Sequence, residues 1–234
     1  MKGSYVVVIG LSVIIAFFVL GLFLYNSRAV VDSVNVVGAA TKRFESDIVK
    51  WRIYLSRDTD LSNVSAGYKL LQNDMSLLKA VLTEKGLSEK DMTVQPINTM
   101  QRYNNQGQVT GYTLQQGAFV ITSNLTAVEE LALNPAVLME KGVVFQNSNL
   151  EYFYSKLADI KMELLADATK DARRRAEEIA GNAGMKLGAV TSLRAGVFQI
   201  TEPFSAEVSD YGMYNTQTKQ KDITVTVRAA FKME

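Results

Sequence analysis

The 234-residue chain has no cysteine and no histidine, and only three prolines and a single tryptophan. Without cysteine there is no disulfide, no thiolate nucleophile and no thiolate metal ligand. Without histidine it lacks the one side chain that titrates near neutrality unperturbed, and with it the commonest transition-metal ligand. Ser–His–Asp and Cys–His nucleophile systems are therefore excluded, and carboxylate-only or Ser–Lys chemistry remains as the enzymatic alternative. An excess of either charge is missing too. Lys and Arg number 25 against 24 Asp and Glu, a net charge of +1, so no overall field draws the chain to nucleic acid. No GxGxxG, Walker loop, GxSxG or HExxH motif occurs. Asp58 and Asp60 lack the spaced carboxylates and glycine of an EF-hand loop, and the adjacent pairs Glu129-Glu130 and Glu177-Glu178 point apart on helices. No catalytic, cofactor-binding or metal-binding residue is expected, and a non-enzymatic role follows.

What the chain does have begins with an uncharged run, YVVVIGLSVIIAFFVLGLFLY, from Tyr5 to Tyr25. As a helix rising ~1.5 Å per residue it is roughly 30 Å long, the hydrocarbon thickness of a bilayer. The tyrosines at its ends suit the membrane interface. A retained anchor, a cleaved secretory signal ending near Ser27-Arg28-Ala29 and a buried core helix are the three readings. A signal's apolar core runs only about 7–15 residues, so the length favours the anchor, with the lipid bilayer as its partner. Lys2 before the run, against Arg28, Lys42 and Arg43 after it, weakly favours a cytoplasmic body. Residues 1–30 are thus read as an anchor and residues 31–234 as the folded domain.

The body alternates between two periods. Ser33 to Gly38 reads as a short strand, and Val49, Trp51, Ile53 and Leu55 alternate with Lys50, Arg52 and Tyr54 as a half-buried one. Val64, Leu71, Met75, Leu78 and Leu82 have helical spacing, with Asp60 or Ser62 as cap and Gly86 as stop. MTVQPINTMQRY and GYTLQQGAFVITS form two strands joined by the turn-rich NNQGQVTG. A second helix is expected from Ala127 to Glu140, capped near Thr126 and broken or kinked at Pro135. GVVFQNSNL is then a strand, Glu151 to Asn182 a long helix, and AVTSLRAGVFQI and DITVTVRAAF the closing strands. In the last, Ile223, Val225, Val227 and Ala229 alternate. The order predicts an α+β fold with a mixed, largely antiparallel sheet packed by helices. Asp47 to Leu150 suits a split βαβ sheet.

Two stretches bear on function. Along the long helix Leu157, Leu164, Leu165, Ala168, Ala172, Ala176, Ile179 and Ala183 share one broad face, with Leu165, Ala168, Ala172, Ala176 and Ile179 as the expected packing surface. Arg173-Arg174-Arg175 offers either an anion-binding patch or a solvated face paired as Arg173–Glu177, Arg174–Glu178 and Asp171–Arg175, and the nearby acids favour the latter. Between the closing strands lies TEPFSAEVSDYGMYNTQTK. Its Phe204, Tyr211, Met213 and Tyr214 form either an assembly or partner contact, or fold back onto their own domain.

LLADATKDARRRAEEIAGNAGMKLGAV, the early VVG strand with Asp47 opening the next, GLSEKDMTVQPINTMQRY, GYTLQQGAFVIT and the terminal alternating strand together resemble the SIMPL-domain family. That family includes bacterial periplasmic immunogenic and oxidative-stress-defence proteins. Ala39-Ala40 stands where a second glycine is common, and Ser46-Asp47 replaces a usual Pro-Asp. The resemblance covers about Ser33 to Met233. It implies an α+β envelope protein whose body lies in the periplasm, outweighing the charge count, and a ring- or channel-like homo-oligomer. It brings no catalytic residue and no cofactor, and its stress-defence label comes without a chemical step. The partners it implies are copies of the chain and other envelope proteins. A binding module presenting a ligand or partner site through residues 202–218 is the alternative.

Overall fold

The structure, a computed structural model, describes residues 2–27 and 33–234, with side chains over 10–23 and 33–234. In chain order the elements begin with α1 (Lys2–Ser27), β1 (Ser33–Glu45), β2 (Ile48–Asp60) and α2 (Val64–Glu84). There follow β3 (Met92–Val94), β4 (Asn98–Tyr103), β5 (Val109–Thr122), α3 (Leu125–Leu133), α4 (Ala136–Glu140) and β6 (Phe145–Phe153). The chain closes with α5 (Leu157–Asn182), β7 (Leu187–Ala195), β8 (Gln199–Thr201), β9 (Met213–Tyr214) and β10 (Gln220–Met233). This is the expected α+β composition. The chain divides into a smaller unit (Met1–Gly38, Ala168–Ala195, Val227–Glu234) and a larger one (Ala39–Asp167, Gly196–Thr226).

The larger unit is organised by the alternation in β2. Val49, Trp51, Ile53 and Leu55 are all fully buried. They lie in one hydrophobic cluster with Leu71, Met75 and Leu78 of α2 and Val128 and Leu131 of α3. The indole Nε1 of Trp51 donates to Ser148 Oγ at 2.8 Å, so the one polar atom of that side chain is satisfied. The sheet order is β3-β5-β2-β6, with β4 also on β5, and every pairing is antiparallel. β5 therefore sits between β2 and the β3/β4 edge, the strand order of a split βαβ sheet. Pro96, which has no amide to donate, falls in the gap that divides this edge into two strands.

Several boundaries differ from the sequence reading. α2 is preceded by Asn63 rather than capped by Asp60 or Ser62, and α3 is capped by Asn124, whose side chain accepts from Ala127 N at 3.3 Å. Pro135 separates α3 from α4, giving two short helices. β6 runs on to Phe153 where a helix was expected from Glu151. There Glu151 faces β2, accepting from Arg52 at 2.9 and 2.5 Å. A cross-strand ion pair and ladder bonds thus outweigh the helical propensity of the segment. The guanidinium of Arg57 grips both oxygens of buried Asp74 at 2.6 and 2.8 Å and donates to Gly142 O, tying β2 to α2 and to the turn after α4.

In the smaller unit, β7 pairs antiparallel with the end of β10, and α5 lies against β1. A Cβ on Gly38 would stand 2.2 Å from Ala168 O and 2.3 Å from Ala172 N. Strand backbone and helix backbone are therefore in direct contact, which explains why the helix is alanine-rich here. The buried ridge is Ala168, Ala172, Ala176 and Ala180, each no more than 1 % exposed, against Val34, Val36, Ala229 and Phe231. Two of the five expected packing residues leave it. Ile179 is 48 % exposed and Leu165 only half-buried. At so short a separation a single i, i+4 ridge meets the strand, so the ridge continues to Ala180 and the bulkier neighbours turn aside.

Along α1, Leu11, Ile14, Phe17, Phe18 and Phe23 are 57 to 70 % exposed. Among the described residues no helix is long and apolar enough to cross a membrane. The Tyr5–Tyr25 run extends at both ends beyond the described side chains of α1.

Gly38→Ala is expected to cost at least about 2 kcal/mol, since neither backbone can yield a full contact radius. Gly181→Ala, where nothing lies within 4 Å, is expected to be neutral or slightly stabilising. Urea midpoints in mild detergent compare the two, and equal effects would refute the close approach.

Candidate partner-contact loop

Residues 202–218 connect β8 to β10 and are held by their own hydrogen bonds. β9 pairs in parallel with β8, placing Gln199 beside Met213 and Ile200 beside Tyr214. The Gln199 amide exchanges bonds with Ser209, donating to its carbonyl at 2.6 Å and accepting from its N–H at 3.3 Å. Asn215 donates to Glu202 at 2.7 Å, while its own oxygen accepts from Gln217 N at 2.8 Å and Thr218 N at 3.2 Å. The Glu202 carboxyl is held below its usual range, first by its own backbone amide and then by Asn215. Gly212 takes φ +85°, and a Cβ there would meet Phe198 O at 2.9 Å.

The base of the loop closes the free edge of β6. Tyr152 N donates outward to Thr216 O at 2.7 Å, and the Tyr152 carbonyl accepts from Lys221 Nζ. Lys221 is fully buried, with its ammonium 5.5 Å from the centre of the Tyr214 ring. Burial, with no carboxylate opposing it, pushes that group down to about 8. On its other face Tyr152 donates to Glu129 at 2.9 Å, and burial first, then Glu129, pushes the phenol up to about 12.

The four side chains singled out from the sequence separate into two pairs. Tyr214, 40 % exposed, packs its ring 6.1 Å from Phe153, and Met213 is half-buried in β9. Phe204 is 89 % and Tyr211 97 % exposed, with Val208 at 82 % beside them in sequence. Phe204 adopts φ +65°, and its ring lies 4.6 Å from the Arg43 guanidinium. Arg43 in turn holds both oxygens of Asp222 at 2.8 and 2.9 Å and lowers that carboxyl below its usual range. Lys221 and Asp222 escaped the sequence reading. Parity offered a signal for the lysine, since Lys221 heads the series Ile223, Val225, Val227 and Ala229 on the buried face of β10.

The arginine cluster is paired along its own helix. Arg173 reaches Glu177 at 2.9 Å, and Arg174 and Arg175 both reach Asp171 at 2.7 Å. Arg174 thus turns back one turn instead of forward to Glu178. Among the described residues no group of three or more Asp or Glu is placed to hold a metal ion.

The family model SIMPL, described as a protein of unknown function (DUF541), matches residues 34–231. The chain belongs to the SIMPL family. The match spans nearly the whole body and stops short of the apolar amino terminus. No curated protein matches this SIMPL chain. What the arrangement can do chemically is present two aromatic rings and an aliphatic side chain on a framework whose own polar groups are satisfied.

The buried lysine gives this SIMPL domain a definite pH dependence. Its ordinary value is 10.5 and its folded value about 8. Between the two the unfolded chain binds a proton that the folded chain releases, so stability rises with pH across that window. The cost is fully present below 8. Urea midpoints from pH 7 to 10 are expected to climb for the native chain, by up to about 3 kcal/mol in free energy. Lys221→Met is expected to flatten the slope, and an unchanged slope would remove Lys221 as its source.

Proposed function

We propose that this SIMPL protein is a non-enzymatic, membrane-anchored component of the bacterial envelope, with its body in the periplasm, that assembles into a homo-oligomer through the 202–218 loop. The observation that carries the reading is the exposure of Phe204, Val208 and Tyr211 at 82 to 97 % on a loop whose base is sealed by Lys221 and Tyr214. Aromatic side chains held out by an ordered framework lose little entropy on contact, which suits them to an interface. Anchoring is supported by the uncharged Tyr5–Tyr25 run and by the exposed apolar side chains along α1. Attachment of every copy to one surface raises the effective concentration of loops for one another. Periplasmic placement and a ring- or channel-like form rest on the family resemblance, as does a part in scaffolding or stress defence.

Mass photometry of the detergent-solubilised protein is expected to report a multiple of the 25.9 kDa chain. Phe204→Ser with Tyr211→Ser is expected to raise the midpoint concentration of assembly at least about 30-fold, the loss of two aromatic anchors. A native chain that stays monomeric at micromolar concentration would overturn the proposal. Deleting the loop tip with assembly intact, and a bound envelope component lost, would transfer the loop to a binding role.

A further inference from the structure

The open face of the smaller unit carries a second feature that assembly does not use. In the β7–β10 ladder Arg194 and Arg228 are direct cross-strand partners. Like charges placed opposite each other repel, and a structural sheet gains nothing from them. Neither guanidinium has a hydrogen-bond or ion-pair partner among the described residues. Both project from the face opposite buried Val227, Ala229 and Phe231, where Lys232 also lies by strand parity. With Asn35 and Ser192 the arginines line an open groove of about 290 Å³. Of the acids whose parity matches Arg228, Asp222 is held by Arg43, and Glu234, just past the end of β10, lies beside Gly188.

Paired guanidiniums flanked by amide and hydroxyl donors are suited to a phosphate, whose oxygens accept several charge-assisted bonds at once. The position in the chain says where that phosphate comes from. α1 ends at Ser27 and Asn35 lies eight residues further on, so the groove's β1 wall is within about 30 Å of the end of the helix along the chain. We infer that Arg194 and Arg228 form a site for the phosphate of an anionic lipid headgroup, drawing this face of the unit onto the bilayer surface. The lipid source, though not the phosphate chemistry, rests on the membrane-anchored reading.

The test uses the full chain in neutral detergent, titrated with short-chain phosphatidylglycerol and followed by native mass spectrometry. Retention of phosphatidylglycerol in preference to phosphatidylcholine is expected, and Arg194→Gln with Arg228→Gln is expected to weaken it at least tenfold. The double variant is expected to keep a urea midpoint at or above that of the native chain, because it removes a repulsion. Lys79→Gln with Lys90→Gln, on exposed positions of the larger unit, is expected to change nothing. Equal binding of both lipids, or retention by the double variant, overturns the site. Inorganic phosphate displacing phosphatidylglycerol at equimolar concentration overturns the lipid source. Alkaline carbonate extraction of membranes tests the anchor separately. A chain that resists extraction but shows no anionic preference sinks the headgroup site alone, and a chain that is extracted yet prefers phosphatidylglycerol sinks the anchor alone.

Discussion

The outer edge of β6 sets the terms for the larger unit. A strand edge exposes amides and carbonyls that must find partners in water or in protein. Here Tyr152 offers both groups outward, and the chain answers with Thr216 O and Lys221 Nζ. Using a lysine for this purpose places an ammonium where water does not reach it. Tyr214 then closes over it, and Phe153 stacks on Tyr214. The loop is held as a consequence of sealing the sheet, and the exposure of Phe204 and Tyr211 follows from that hold. A floppy loop with the same rings would bury them against its own domain.

The smaller unit solves its packing in the opposite manner. The larger core is filled by Trp51 and by leucines from α2 and α3. In the smaller unit the helix and strand backbones touch at Gly38, and alanines are what fits between them. Alanine buries little area per residue, so this packing depends on closeness and tolerates almost no added volume. On the opposite sheet face the unit leaves two arginines opposed, without a partner among the described residues.

Periodicity in the sequence carried the strands and helices of the larger unit well. Val49 to Leu55, with Ile223 and Val225, are buried as alternation requires, and Leu71 to Leu82 as helical spacing requires. Arg52 and Glu151 are remote in sequence, so no local pattern announces their pairing, and by local pattern the end of β6 belongs to the helix that follows. A broad apolar stripe, the ordinary arrangement, includes Ile179, whereas contact between backbones narrows the stripe to one ridge. The loop rings were recognised as a group. Their division into a packed pair and a fully exposed pair depends on β8–β9 pairing and on Lys221, neither of which a local pattern reveals. Lys221 itself was legible by parity, but a lysine at the head of a strand is ordinarily taken for the solvated end.

For function to reside in an outward-facing loop, copies of the chain must meet there. Because the chain has no cysteine, a single introduced thiol is its only thiol. Tyr211→Cys, in membranes treated with a mild oxidant or a short bis-maleimide, is predicted to yield a covalent dimer. Leu133→Cys, at another exposed position, is predicted to remain monomeric. Tyr211→Cys that stays as monomeric as Leu133→Cys would contradict the account.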